Sequence, residues 1–410
     1  MQILIQNIGK LTGILASDIK VLKGAQMNEV ESIENAYLLV ENGLITSFGH
    51  TLEKPTHIEE IIDADGAEVM PCFIDSHTHI VYAKSREKEF ELKIAGKTYA
   101  EIAAAGGGIL SSAATIKAIT EDELFEISLA RAWKLIKMGT GALEIKSGYG
   151  LDFANELKML NVINRLKKEL PISIKTTYLA AHALPKNFNG DSASYVNEVI
   201  NKWLPKLNKL CNIDYIDAFC EKGFFSIADT QNIIDAGLKY GIKTKLHGNQ
   251  LGNSGGALLA AKNNILSVDH LEYLNQEEMD ELKTKDTLAV ILPQCSYFLK
   301  MQYAPALEML KNNLAIAIAS DYNPGSSPSG NLWFAWSLAC TQMGLTPQAA
   351  FNALTINAAA AVELSDKMGS ISVGKYANFI FTKKQEHLSY YPYSFGEIHA
   401  KKVMIDGVFI

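Results

Sequence analysis

The sequence contains no run of 18 consecutive apolar residues, which argues against a helix that spans a membrane. Its opening stretch, MQILIQNIGKLTG, lacks a basic segment followed by a long apolar run, so a secretory leader is not expected. Cysteine is scarce. The five present (Cys72, Cys211, Cys220, Cys295, Cys340) are scattered, odd in number and without a CxxC pair, as expected of free thiols in the reducing cytoplasm. An excess of basic charge is also missing: 38 lysines and arginines against 45 acidic residues give a net charge of -7, the wrong sign for a nucleic-acid binder. No low-complexity tract or solenoid period interrupts the chain.

What is present is a chain of 410 residues, 48% hydrophobic and 20% charged, long enough for a sizeable core. Between residues 66 and 345 short apolar runs alternate with stretches of helical period. Eight runs read as strands: EVMPCFIDSHTH, ALEIKSG, ISIKTTYLAAH, IDYIDAFCE, IKTKLHGNQ, ILSVDHLE, TLAVILPQ and LAIAIASD. Eight parallel strands, each followed by a helix, can close into a barrel with its active site at the strands' carboxyl ends. A doubly wound open sheet is the rival. In the flanks, Glu41, Asn42 and Gly43 lie between two apolar runs and Asp406 and Gly407 between two more, which are hairpin signals. The expected fold is therefore α/β: a (β/α)8 TIM-like barrel over residues 67–362, with a small β-sandwich domain built from residues 1–66 and 363–410. The triple glycine Gly106 to Gly108 lacks the spacing and lysine of a phosphate loop and reads instead as a mobile loop near the active site.

Histidine carries the chemical signal. His77 and His79 are two apart at the end of the first barrel strand, so both side chains point to one face. His182 ends the third strand, His247 the fifth and His270 the sixth, while Asp321 ends the eighth. His50, His57, His387 and His399 fall in the flanks and read as surface or structural residues. His77, His79, His247 and Asp321 together would offer three nitrogens and one oxygen, a set suited to Zn²⁺ or Fe²⁺. A metal of that kind lowers the pKa of its water from about 15.7 to about 7, making hydroxide available at neutral pH.

The runs PCFIDSHTHIVYA, AAGGGI, EIKSGYGL, AAHALP, DAFCEKG, LHGNQL, SVDHLE and SDYNPGSSPSGN resemble the amidohydrolase superfamily and, within it, the imidazolonepropionases. HxH marks only the superfamily, whereas KSGYG together with DYNPGSS is specific. The resemblance implies a barrel with a small β domain, one Zn²⁺ or Fe ion per subunit, a cytoplasmic homodimer and a small-molecule substrate, 4-imidazolone-5-propanoate, opened to N-formimidoyl-L-glutamate in histidine degradation. No nucleic-acid or membrane partner is implied. By matching motif, it makes His77, His79, His247 and Asp321 the metal ligands and Arg86 the anchor of the substrate carboxylate. It adds Tyr149, His182, Asn323, Gly325 and Ser326 as substrate contacts. The turn around Asn323 leads towards a predicted helix at GNLWFAWSLAC, and its backbone amides could hold an anion.

Two positions depart from the pattern. LHGNQL has Gly248 and Asn249 where the family form is HADQ-like, and Gln250 stands where deaminase relatives carry a proton-shuttling glutamate. An amide cannot act as a base. Gln250 is therefore assigned to substrate binding, and the proton transfers to His270 and Asp321. Lys222 follows the fourth strand, where binuclear relatives bridge two metals with a modified lysine; the resemblance favours one ion. A deaminase of an aminated heterocycle is the alternative reading, and a scaffold without catalysis a third.

Overall fold

The computed structural model describes residues 2–55, 58–97, 101 and 107–410. Gly106 of the triple glycine, and His57 in the flank, lie outside the described residues.

Both ends of the chain share one sheet. Its strands are β1 (Gln2–Ile14), β2 (Glu31–Glu41), β3 (Leu44–His50), β4 (Glu60–Asp63) and β5 (Glu68–Pro71) from the amino-terminal part. Their partners β14 (Phe379–Thr382), β15 (Lys402–Ile405) and β16 (Val408–Phe409) come from the carboxyl-terminal part, joined where β14 pairs antiparallel with β5. Its hairpins turn where the sequence signals them. Asn42 and Gly43 have φ of 51° and 79°, and Asp406 and Gly407 have 49° and 81°, the left-handed pairs that match strand twist in a tight hairpin. Ile5, Leu38, Val69, Phe379 and Met404 bury their side chains together in a core separate from that of the barrel.

The second sheet is the barrel. Its eight strands run in chain order: β6 (Phe73–Thr78), β7 (Thr140–Lys146), β8 (Ser173–Ala181), β9 (Tyr215–Cys220), β10 (Lys243–Gly248), β11 (Ser267–His270), β12 (Leu288–Ile291) and β13 (Ile316–Ile318). All neighbouring pairs are parallel. Strand β6 meets the far end of the sheet just beyond β13. His79 N donates to Tyr322 O at 2.9 Å and Asp321 N to His77 O at 3.1 Å, so closure fixes Asp321 beside the HxH pair. The run EVMPCFIDSHTH, expected as one strand, divides at Cys72 into β5 of the terminal sheet and β6 of the barrel. At the division the Cys72 amide donates to Asn378 O, in the terminal part, at 3.0 Å.

The helices between strands begin where side chains satisfy their first amides. Thr120 accepts from Glu123 N before Glu121–Lys137, Asp152 from Asn155 N before Phe153–Glu169, and Ser226 from Asp229 N before Ile227–Lys239. Their apolar faces close over the strands in one large core that includes Leu135, Ile163 and Ile233. Among the described residues, no helix is long and apolar enough to cross a membrane.

Candidate metal centre and substrate cavity

At the carboxyl ends of the barrel strands the imidazoles of His77, His79 and His247 converge, with one ligand atom from each lying within 4.8 Å of the others. Nε2 of His77 and Nε2 of His79 are 3.3 Å apart, too close for both to carry protons facing each other. Asp321 Oδ1 lies 3.6 Å from each of those nitrogens. All four side chains are buried. Burial, reinforced by neighbouring cationic groups, holds His77 and His79 well below the usual imidazole pKa, so both are neutral and present lone pairs. Nδ1 of His79 is buried and has no hydrogen-bond partner among the described residues. Three imidazoles and one carboxylate packed this closely fit a divalent cation, and the group can hold one.

Two of the three converging histidines, His77 and His247, are each backed by an acid that sequence reading missed. Asp269 Oδ2 lies 2.6 Å from His77 Nδ1, and Asp217 Oδ2 lies 3.0 Å from His247 Nδ1. Such partners fix the ring and its tautomer, turning the other nitrogen towards the ion. Beneath them Lys146 Nζ bonds Glu144 Oε1 and Asp217 Oδ2, each at 2.8 Å, and lies 4.0 Å from Asp269. Lys245 Nζ approaches Asp269 at 3.8 Å and bonds Ser267 Oγ at 2.8 Å. An available signal was charge inside apolar strands: an Asp or Lys midway along a buried run needs a partner.

Above the histidines opens a cavity of about 480 Å³, within the range that takes a small-molecule ligand. Every expected substrate-contact residue lines it. Arg86, which by itself reads as a surface residue in a charged run, is 10% exposed and bonds Glu89 Oε2 through Nε at 3.0 Å. Its guanidinium occupies the space over Gly325; a Cβ there would lie 2.0 Å from Nη2, so only glycine leaves room for it. Tyr149 and His182 pack as neighbouring rings, their centroids 5.3 Å apart, and His182 stacks on His79 at 5.2 Å. His182 Nδ1 bonds Gly148 O at 3.0 Å, leaving Nε2 as an acceptor, and burial lowers the pKa of this ring to about 3. Glu156, also missed, shapes the KSGYG loop by accepting from Gly148 N, Gly150 N and Leu151 N.

The anion-holding turn is corrected. The amides of Gly325 and Ser326 both donate to Asn323 Oδ1 at 2.8 Å, so the turn satisfies itself. The helix beyond begins later, at Leu332, and its first amides are capped by Asn331. Asn323, Gly325 and Ser326 face the cavity through a prefolded turn, with Ser326 Oγ 3.3 Å from Asp321 Oδ2.

Gln250 lines the cavity, its amide Nε2 3.5 Å from Cys295 Sγ and its backbone N donating to Glu221 Oε1 at 2.5 Å. The preceding departure from the family pattern has a local reason. Asn249 adopts φ of 56°, which asparagine tolerates, and its side-chain amide bonds the Glu278 carboxylate while Oδ1 accepts from Ala257 N. His270, also at the cavity, has φ of 87°, an uncommon conformation for a side-chain-bearing residue. Burial, the largest single influence, works to lower its pKa, but Glu272, 3.7 Å from Nδ1, together with Asp321 and Asp269 outweighs it and the net shift is upward. Lys222 is exposed in the turn after β9, outside the cavity lining. His50 and His387 are exposed, whereas His399 is buried against Trp333 and Tyr391.

A family model described as the amidohydrolase family matches residues 226–410. An imidazolonepropionase from Flavobacterium johnsoniae is 47% identical over 410 residues, covering 99% of each chain, and one from Christiangramia forsetii is 46% identical over the full length of both. The chain belongs to the imidazolonepropionase family. It is a hydrolase of carbon-nitrogen bonds. Among solved structures, a guanine deaminase from C. acetobutylicum is similar at a TM-score of 0.75 with 16% identity, covering 100% of each chain. A zinc-bound adenosine deaminase from Xanthomonas campestris is similar at 0.73 with 15% identity, covering 99% of this chain and 92% of that one. At such identities these two show the shared fold alone. Membership in the imidazolonepropionases and the histidine cluster support a divalent metal as cofactor.

Proposed function

We propose that the chain opens the ring of 4-imidazolone-5-propanoate by hydrolysis, giving N-formimidoyl-L-glutamate in histidine degradation, as a cytoplasmic homodimer with one ion of Zn²⁺ or Fe per subunit. His77, His79, His247 and Asp321 hold the ion, with Asp269 and Asp217 orienting two of the rings. When bound, the ion acts as a Lewis acid that makes water nucleophilic near neutral pH and polarises the ring carbonyl.

The chain's own side chains do the rest. Arg86 pairs its guanidinium with the propionate carboxylate, and Tyr149, His182 and Gln250 fix the ring, whose polar edge finds hydrogen-bond donors and acceptors there. Asn323, Gly325 and Ser326 shape the same side of the cavity and keep Arg86 seated. Glu272 stands beside Nδ1 of His270, which leaves Nε2 to accept the proton of the attacking water. Asp321, whose pKa is raised by burial, takes the remaining proton of the added hydroxyl and passes it to the departing ring nitrogen as the C-N bond breaks, while His270 releases its proton to solvent. Gln250 is an amide and cannot ferry protons to a leaving ammonia, so deamination is the weaker reading.

The single observation that carries this reading is one cavity lined by both the guanidinium of Arg86 and the converging imidazoles, an anion anchor and a hydrolytic centre together. The test is to follow loss of the imidazolone ultraviolet chromophore with purified protein, before and after chelation. Loss that stops on chelation and returns on adding metal is expected. No loss in the metal-replete protein would contradict the substrate assignment.

A further inference from the structure

Beside the first histidine group lies a second one, unused by the proposed ligand set: His270, Glu272 and Cys295, with one ligand atom from each within 4.8 Å of the others. All three are buried. Two of the polar atoms there, Nδ1 of His270 and Oε2 of Glu272, have no hydrogen-bond partner among the described residues. Buried carboxylate oxygens and ring nitrogens are rarely left so, because each carries a desolvation cost that nothing offsets. The other oxygen of Glu272 is fixed by Ser296 Oγ at 2.9 Å, which holds Oε2 in place. His270 itself lines the cavity, and Gln250 in the same wall has its Nε2 3.5 Å from Cys295 Sγ, so the group is approached from the cavity.

We propose that His270 Nδ1, the Glu272 carboxylate and Cys295 Sγ form a second cation site, for a thiophilic divalent ion such as Zn²⁺ or Cd²⁺, whose filling stops turnover. The donor set decides the class of ion. One sulfur, one nitrogen and one oxygen suit borderline or soft metals and discriminate against Mg²⁺ and Ca²⁺, which take oxygen ligands. Charge agrees: as the ion binds, the thiol proton leaves to solvent, and one thiolate with one carboxylate neutralises two positive charges. Three protein ligands leave a further position open to water.

The inhibitory consequence rests on the reading of His270 as proton acceptor. With Nδ1 taken by a cation, the neutral ring keeps its proton on Nε2 and has no lone pair with which to receive another. Excess thiophilic metal would thus act next to the resident ion without displacing it.

The experiment titrates Cd²⁺ into the holoenzyme carrying its resident ion. Expected are one further equivalent bound, the resident ion retained by elemental analysis, growth of the ultraviolet band of a cadmium thiolate, and loss of ring opening in parallel. Cys295→Ser and Cys295→Ala should each lose the band and the further equivalent, and Glu272→Gln should weaken binding. The site is overturned if no further equivalent binds, if Cd²⁺ replaces the resident ion without the band, or if the band persists in the cysteine variants. Binding with the band but undiminished turnover would leave the site standing and overturn the blocking role, together with the assignment of His270.

Discussion

Asp269 holds His77 from behind: its Oδ2 lies 2.6 Å from Nδ1, while Nε2 of the same ring faces His79 and Asp321. Asp269 sits in β11 and His77 in β6, 192 residues apart in the chain, so the barrel's closure creates the pair. Asp269→Asn keeps the shape and removes the charge. Metal affinity measured by chelator competition is expected to fall about 10- to 100-fold, the range typical of such partners, with the circular dichroism spectrum unchanged.

Lys146 joins this arrangement to the barrel interior, bonding Glu144 and Asp217 with no exposure of its own. Removing its charge strands two buried carboxylates. Lys146→Met is expected to lower stability by about 3–5 kcal/mol in urea denaturation, since a buried charge left unpaired is costly. A change within error would place the charges in contact with water.

Arg86 and Gly325 are matched in size. A methyl group added at Gly325 must push the guanidinium aside, so Gly325→Ala is expected to raise KM about 10-fold or more and to affect kcat much less. Equal KM in both proteins would remove Arg86 from carboxylate binding.

His270→Ala leaves the three proposed ligand histidines, His77, His79 and His247, and Asp321 in place. Metal content is expected to stay at one ion per subunit while turnover falls about 10²-fold or more, in the range a general base supplies. Near-normal turnover would take His270 out of the mechanism.

The eight barrel strands were legible in sequence because each is a short apolar run bounded by turn residues, and the ligand histidines because strand ends point into one mouth. The division of the first run at Cys72 was not legible, since β5 and β6 are both buried and differ only in which sheet they join. Asp217, Asp269 and Lys146 were passed over for a related reason: a single charged residue reads as solvated until its partner, far away in sequence, is brought to it. Gly325 was legible as a turn residue, but its closeness to Arg86 depends on tertiary contact.

The most direct measurement is X-ray diffraction from crystals of the metal-loaded protein, recorded on either side of the zinc and iron absorption edges. A single anomalous peak enclosed by His77, His79, His247 and Asp321 is expected at stoichiometric loading. Loaded crystals with no peak among those four side chains, or with the ion held elsewhere, would contradict this ligand set.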